Sequence, residues 1–240
     1  MAPKAIILLF SKSTAMEAKY RKIREIVRKK LSLSHHDMEH VERVHNLCMH
    51  LAKHEPEVDL DVLKTAALLH DVARVREFED KRGLVEHAAL GAEMAEQILR
   101  KLDYSEEKLA KIKHCIAVHR YRRNRKPNSI EAKILFDADK LDALGAVGVA
   151  RAFMMAGQYG QRICSNIPIE EYLKDNVVGG KAEGGLKDIS KHSPNLEFEL
   201  KFKRIPDRLC TRKAKQIAGE RLVFMEDFFD RLKAEIEGDL

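Results

Sequence analysis

The chain has 240 residues, 45% of them hydrophobic and 34% charged, which is enough for one large domain, or one with appendages, under a soluble surface. Its longest apolar run, AIILLF at 5–10, is only six residues and has no small-residue cleavage site behind it, so neither a membrane span nor a secretory signal is expected. The four cysteines, Cys48, Cys115, Cys164 and Cys210, are far apart, which disfavours a thiolate zinc site and fits reduced thiols in a cytoplasmic protein.

Residues 1–15 show little periodicity and read as an extension, or as a loosely docked strand. From 16 to 31, Tyr20, Ile23, Ile26, Val27 and Leu31 fall on one helical stripe. The same period returns at about 37–54, 59–74, 84–101, 105–120 and 130–156. Pro56, Gly83, Ser105 as an N-cap and Pro127 mark the breaks. No alternating strand pattern interrupts this block, so an all-α bundle is expected. Residues 157–195 are rich in Gly and polar side chains (VVGGKAEGG, HSPN) and read as a long flexible excursion. The tail returns to an amphipathic helix with Leu222, Met225, Phe228, Phe229 and Leu232 on one side.

The helix faces that should be buried carry polar intruders. His40 shares its face with Val44, Leu47 and Leu51, and His70 with Leu63 and Ala67. His87 falls in line with Leu90, Met94 and Ile98, His119 with Ile112, Cys115 and Ile116, and Asp139 with Leu135, followed by Asp142. A single such histidine is usually a hydrogen-bonded core residue; His35, His36, His45, His50, His54, His114 and His192 are read that way or as surface residues. Five successive helices each contributing one call for a common cause, because an unpaired buried carboxylate costs several kcal/mol. Imidazole and carboxylate together suit a divalent cation such as Mn, Fe, Co, Ni, Zn or Mg, and helices that turn side chains inward can build its site.

Three stretches, HDMEHVERVHNLCMHLA, TAALLHDVAR and ILFDADKLDALGAVGVAR, resemble the HD-domain superfamily of metal-dependent phosphohydrolases over about residues 30–160. DADKLDALGAVGVARAF and TRKAKQIAGERLVFMEDFFDRL are similar to a bacterial and archaeal subgroup of stand-alone HD hydrolases, some of which act on nucleotides. The resemblance implies an HD-type bundle in which His40, His70, Asp71 and Asp139 bind one divalent cation. His87 and His119 occupy positions that some branches use for a second ion; here they either complete a two-ion site or act as donors to the scissile phosphate, with one ion favoured. Asp71 would bridge ions or orient the attacking water.

The domain plan expected is an extension at 1–15, the HD domain at 16–160, the Gly-rich excursion at 161–195 and a C-terminal helical segment at 196–240 on the same domain. Arg43, Arg74, Lys140 and Arg122, the last within the basic run HRYRRNRK at 119–126, are the expected phosphate contacts. In the resembling branches an acidic residue soon after the doublet activates water. Here Arg74 stands near that position and Glu77, a turn later, reads as a solvated residue. The expected activity is hydrolysis of a phosphate ester or anhydride in a small metabolite, most plausibly a nucleotide, by activated water. The alternatives are a two-ion phosphodiesterase and a non-catalytic module binding metal, nucleotide or RNA. The net charge of +6 does not separate a nucleic-acid partner from a phosphorylated substrate, and the former is not favoured. A homo-oligomer paired through the terminal helix is a further expectation.

Overall fold

The computed structural model describes residues 3–31, 38–120, 126–182 and 184–239, with side chains from residue 16 onward. Among these residues the chain is helical, with no β-strand and one isolated bridge between Val177 and Leu186. It forms two compact units, Met1–Asp139 and Lys140–Leu240, a division that falls earlier than the one expected at 160.

In the first unit α1 runs from Pro3 to Leu31, α2 from Met38 to Ala52, α3 from Leu60 to Leu69 and α4 from Arg74 to Glu79. They are followed by α5, His87–Arg100, α6, Glu106–Val118, and α7, which begins at Ile130 and ends at Leu141. The expectation of a strand or loose extension at 1–15 is therefore corrected: the helix begins at Pro3 and continues without a break through the amphipathic stretch.

The middle helix, α3, is apolar almost all round. Val62, Leu63, Ala66, Ala67, Leu68 and Leu69 are fully buried, and α1, α2 and α6 pack about it. Asp59 caps its start by accepting from the backbone N–H groups of Asp61 (3.0 Å) and Val62 (3.1 Å), and the N–H of Asp59 donates to Glu131 at 2.9 Å. Ser105 caps α6 as its sequence position suggests, accepting from Lys108 N–H at 3.4 Å.

The helix expected at 59–74 is broken. It stops at Leu69, and i→i+3 bonds from Val72 N–H to Leu69 O (3.1 Å) and from Arg74 N–H to Asp71 O (2.8 Å) tighten the turn before α4 begins. Neighbours on a regular α-helix point about 100° apart. The tightened turn is what lets His70 and Asp71, adjacent in sequence, serve one place.

The second unit contains α8, Gly145–Gln158, α9, Ile169–Asn176, α10, Pro194–Leu200, and α11, Arg212–Glu237, linked by short 3₁₀ turns. The helix expected at 130–156 is thus two, α7 and α8. On α11, Met225 and Phe229 are buried as the stripe requires, and Phe229 stacks on Phe198 at 4.9 Å between ring centres.

The Gly-rich stretch, expected as a long flexible excursion, carries α9 and a small core of its own. Tyr172, Val177, Leu196 and Leu200 form a small core under it. The Tyr172 hydroxyl meets His192 Nδ1 at 2.6 Å, and His192 Nε2 meets Glu197 at 2.7 Å. Asn176 donates to the Tyr172 hydroxyl (3.0 Å) and to Asp188 O (2.9 Å), while Asp188 N–H donates back to the Asn176 side chain at 3.0 Å. Gly184 packs so closely that a Cβ there would lie 2.1 Å from Val178 O, so no other residue fits.

Candidate metal centre

Six side chains of the first unit converge. His40 lies on α2, His70 and Asp71 in the turn after α3, His87 at the first position of α5, His119 at the end of α6 and Asp139 on α7. The four histidines are at most 3% exposed and Asp71 is 4% exposed, figures typical of the core rather than of ionisable residues.

The donors divide around Asp71. On one side His40 Nε2 lies 3.2 Å from His70 Nε2, 3.6 Å from Asp71 Oδ2 and 3.5 Å from Asp139 Oδ1. His70 Nε2 lies 3.8 Å from Asp71 Oδ2 and 4.0 Å from Asp139 Oδ1. On the other side Asp71 Oδ1 lies 3.1 Å from His87 Nε2 and 3.6 Å from His119 Nε2, and these two nitrogens are 3.2 Å apart. Ligand atoms about 2.1 Å from a cation stand about 3.0 Å apart at right angles and about 3.4 Å apart at tetrahedral corners. The edges of the two sets, 3.1 to 3.8 Å, run from that length to a little beyond it, and His40–His70–Asp71 and Asp71–His87–His119 each can hold an ion.

The tautomers make the fit chemical as well as geometric. His70 Nδ1 donates to Ala67 O at 2.7 Å and His119 Nδ1 to Ile116 O at 2.6 Å, so a neutral ring presents a bare lone pair at each Nε2. Buried lone pairs facing other imidazole nitrogens and a carboxylate are an arrangement that a cation completes.

Burial holds the His70 pKa down to about 4, so the ring is neutral at physiological pH. Burial alone would raise the Asp71 carboxyl, yet the surrounding His70, His119 and His87 outweigh it and keep Asp71 far below the usual carboxylate range. For His87, burial pulls the pKa down but hydrogen bonds to Asp71 and Glu77 prevail, and the net shift is upward. Burial drives Cys48 and Cys115 up, the latter to about 12, so both remain thiols and neither offers a thiolate.

Behind His87 stands Glu77, held between two arginines. Glu77 Oε2 meets His87 Nδ1 at 2.8 Å, which corrects its reading as a solvated residue. Arg74 donates to Glu77 at 2.6 Å, and Arg120 donates to both Glu77 oxygens at 3.1 and 3.3 Å. Burial would raise Glu77, but His87, Arg120 and Arg74 together bring it down to about 2. The broken helix hides Glu77 from periodicity, because α4 starts a new register at Arg74.

Arg43 ion-pairs Glu39 at 3.9 Å, one turn back on α2. Lys140, the first residue of the second unit, is half-buried. Asp142 is bound by Arg151 at 2.6 Å. Arg122, His35 and His36 lie outside the described residues. His192 is the hydrogen-bonded core histidine expected of it.

A family model for the HD domain matches residues 37–144. The Bacillus subtilis protein YpgQ is 32% identical over 209 residues, covering 85% of this chain and 86% of YpgQ. The crystal structure of an HD-superfamily hydrolase from Bacillus thuringiensis is similar with a TM-score of 0.68, at 29% identity over 92% of this chain and 98% of that one. The structure of B. subtilis YpgQ in complex with ADP gives a TM-score of 0.65, at 26% identity over 92% and 96% of the two chains. Fold and site thus define a metal-dependent phosphohydrolase of the all-α kind. The chain belongs to the HD-domain superfamily. No helix among the described residues is long and apolar enough to cross a membrane.

Proposed function

We propose that the protein hydrolyses a phosphate ester or anhydride of a nucleotide, with His40, His70, Asp71 and Asp139 holding one divalent cation. The observation that carries this reading is the buried His40–His70–Asp71 donor set with Asp139 beside both histidines. The ADP bound to YpgQ supports a nucleotide as the ligand class.

A divalent ion in such a site lowers the pKa of water towards neutrality and neutralises phosphate oxygens. The residues of this chain do the rest. Ala67 O fixes the His70 ring so that its Nε2 lone pair points inward. Asp71, ionised down to low pH, accepts from His87 through Oδ1, which also faces His119 at 3.6 Å, while Oδ2 faces His40 and His70, and so ties both groups to one carboxylate. His87, with its pKa raised and its Nδ1 on Glu77, is a proton donor next to the donor set and is suited to the leaving oxygen or to the scissile phosphate. The apolar walls from α3 and α6 exclude bulk water and strengthen each of these interactions.

One observation favours a second reading. Asp71 Oδ1, His87 Nε2 and His119 Nε2 form a donor set of their own, so a second ion bridged by Asp71 would make the protein a two-ion phosphodiesterase. Counting metal per chain in active protein separates the two: one ion with full activity removes the second reading. Nucleotides and cyclic or linear phosphodiesters assayed after chelation and reloading with Mn, Fe, Co, Ni, Zn or Mg test the substrate class. Metal-independent turnover, or turnover of no nucleotide under any metal, would refute the proposal.

A further inference from the structure

Arg74, Glu77 and Arg120 form a charged group at the edge of the donor set whose composition a scaffold does not require. Arg74 opens α4 and Arg120 follows α6, yet one guanidinium nitrogen of each reaches the same carboxylate, at 2.6 Å and at 3.1–3.3 Å. The same nitrogens lie 2.9 and 3.1 Å from His87 Nδ1, and the opposite nitrogen of that ring faces Asp71. Two guanidinium groups and one carboxylate leave an excess of one positive charge. Burial also distinguishes this group from its neighbours. The Arg74, Arg120 and Glu77 side chains are 23%, 24% and 20% exposed, whereas the His87 side chain is 1% exposed. An incoming anion can therefore reach the cations without entering the histidine cluster.

We propose that Arg74 and Arg120 bind the phosphates of the substrate beyond the one being cleaved, and that Glu77 holds both guanidinium groups until that anion displaces it. The inference rests on the reading of the protein as a phosphohydrolase of phosphorylated metabolites, and it narrows the substrate class to those carrying two or more linked phosphates. Guanidinium forks match phosphate oxygens in pairs, which a lysine cannot do. A phosphate chain brings more negative charge than the single carboxylate it replaces, so the exchange favours a di- or triphosphate. A lone phosphate taken up at the donor set does not reach the pair and leaves Glu77 in place. A merely structural role accounts poorly for the second arginine, since one guanidinium already neutralises the Glu77 carboxylate.

The test is calorimetric titration of inorganic tripolyphosphate and of orthophosphate into the Mg-saturated protein, with saturating Mg in both solutions. Arg120→Ala is expected to weaken tripolyphosphate about tenfold and orthophosphate less than about twofold, and Arg120→Lys to recover only part of the loss. Glu77→Gln keeps an acceptor for His87 but relaxes its hold on the arginines, so tripolyphosphate should bind more tightly. Equal weakening of both anions by Arg120→Ala, or weakening of tripolyphosphate by Glu77→Gln, would overturn the proposal; if the alanine variant does not fold, the lysine and glutamine variants decide. Wild-type protein that turns over nucleotides yet binds tripolyphosphate no better than orthophosphate refutes this subsite alone. Wild-type protein that binds tripolyphosphate well but hydrolyses no nucleotide refutes the nucleotide reading and leaves the subsite standing.

Discussion

The two sides of Asp71 use the same chemistry in different settings. On the His40–His70 side the His70 ring is fixed by a backbone carbonyl, and burial holds its pKa down to about 4. On the His87–His119 side, Glu77, Arg74 and Arg120 stand behind the His87 ring and its pKa is raised. A neutral, backbone-held imidazole is made for a cation. An imidazole between two carboxylates can serve a cation or carry a proton, and the arginines behind it can meet an anion. Under the proposed reading, metal and phosphate would not compete for one surface, because a single aspartate would separate a cation side from a side where charges exchange.

The largest effect should come from removing the shared residue. Asp71→Asn is expected to abolish stoichiometric metal binding and to reduce hydrolysis by about a thousandfold or more, roughly 4 kcal/mol of transition-state stabilisation. Steady-state kinetics with metal analysis on the same sample checks this. A variant that kept its metal would mean that the two sides are independent of Asp71.

Titration should set the sides apart in metal-free protein. His70 has a folded pKa of about 4 against about 6.5 unfolded, so its contribution is complete above pH 6.5 and is lost as the pH falls towards 4, by about 3 kcal/mol. Asp71, depressed on folding, acts in the same direction. His87, raised on folding, does the opposite: its contribution is complete below about pH 6.5 and is lost as the pH rises through its folded value. Denaturant melts across this range should show the acid loss shrinking in His70→Leu and the alkaline loss shrinking in His87→Leu. Identical pH profiles for the two variants would erase the distinction.

A smaller effect is expected from His119→Ala. It should leave the ion on the His40–His70 side bound and lower kcat/KM by about 10- to 100-fold, as loss of a group that supports a site usually does. Calorimetric metal titration then shows one remaining site of unchanged affinity, and loss of all binding would mean that the sides do not separate. Smallest of all, Asp59→Ala removes the α3 cap and should cost about 1 kcal/mol in denaturant melts without changing metal content.

The donor set is legible in sequence because each of its histidines falls in line with the apolar stripe of the helix it begins or ends. His40 with Val44 and Leu51, and His119 with Ile112 and Ile116, could be aligned by counting, and the structure buries all of them. Glu77 could not be found that way. The turn at 70–73 resets the helical register, and its partners Arg74, His87 and Arg120 come from three separate places in the chain. Residues 169–200 escaped for a related reason. Tyr172, Asn176, Asp188, His192 and Glu197 hold that segment by hydrogen bonds, which leave no hydrophobic period. The start of α1 was missed because AIILLF and its polar neighbours give no amphipathic stripe, although the chain is helical from Pro3.

The central claim is that the buried His40, His70 and Asp71, with the half-buried Asp139 beside them, bind the cation on which hydrolysis depends. Its most direct measurement is an isotherm of Mn binding to chelator-stripped protein, taken with nucleotide hydrolysis on the same wild-type and His70→Ala samples. The account predicts that the wild-type protein binds Mn and regains hydrolysis in proportion to occupancy, while the folded His70→Ala variant does neither. Undiminished Mn affinity and turnover in His70→Ala would contradict it.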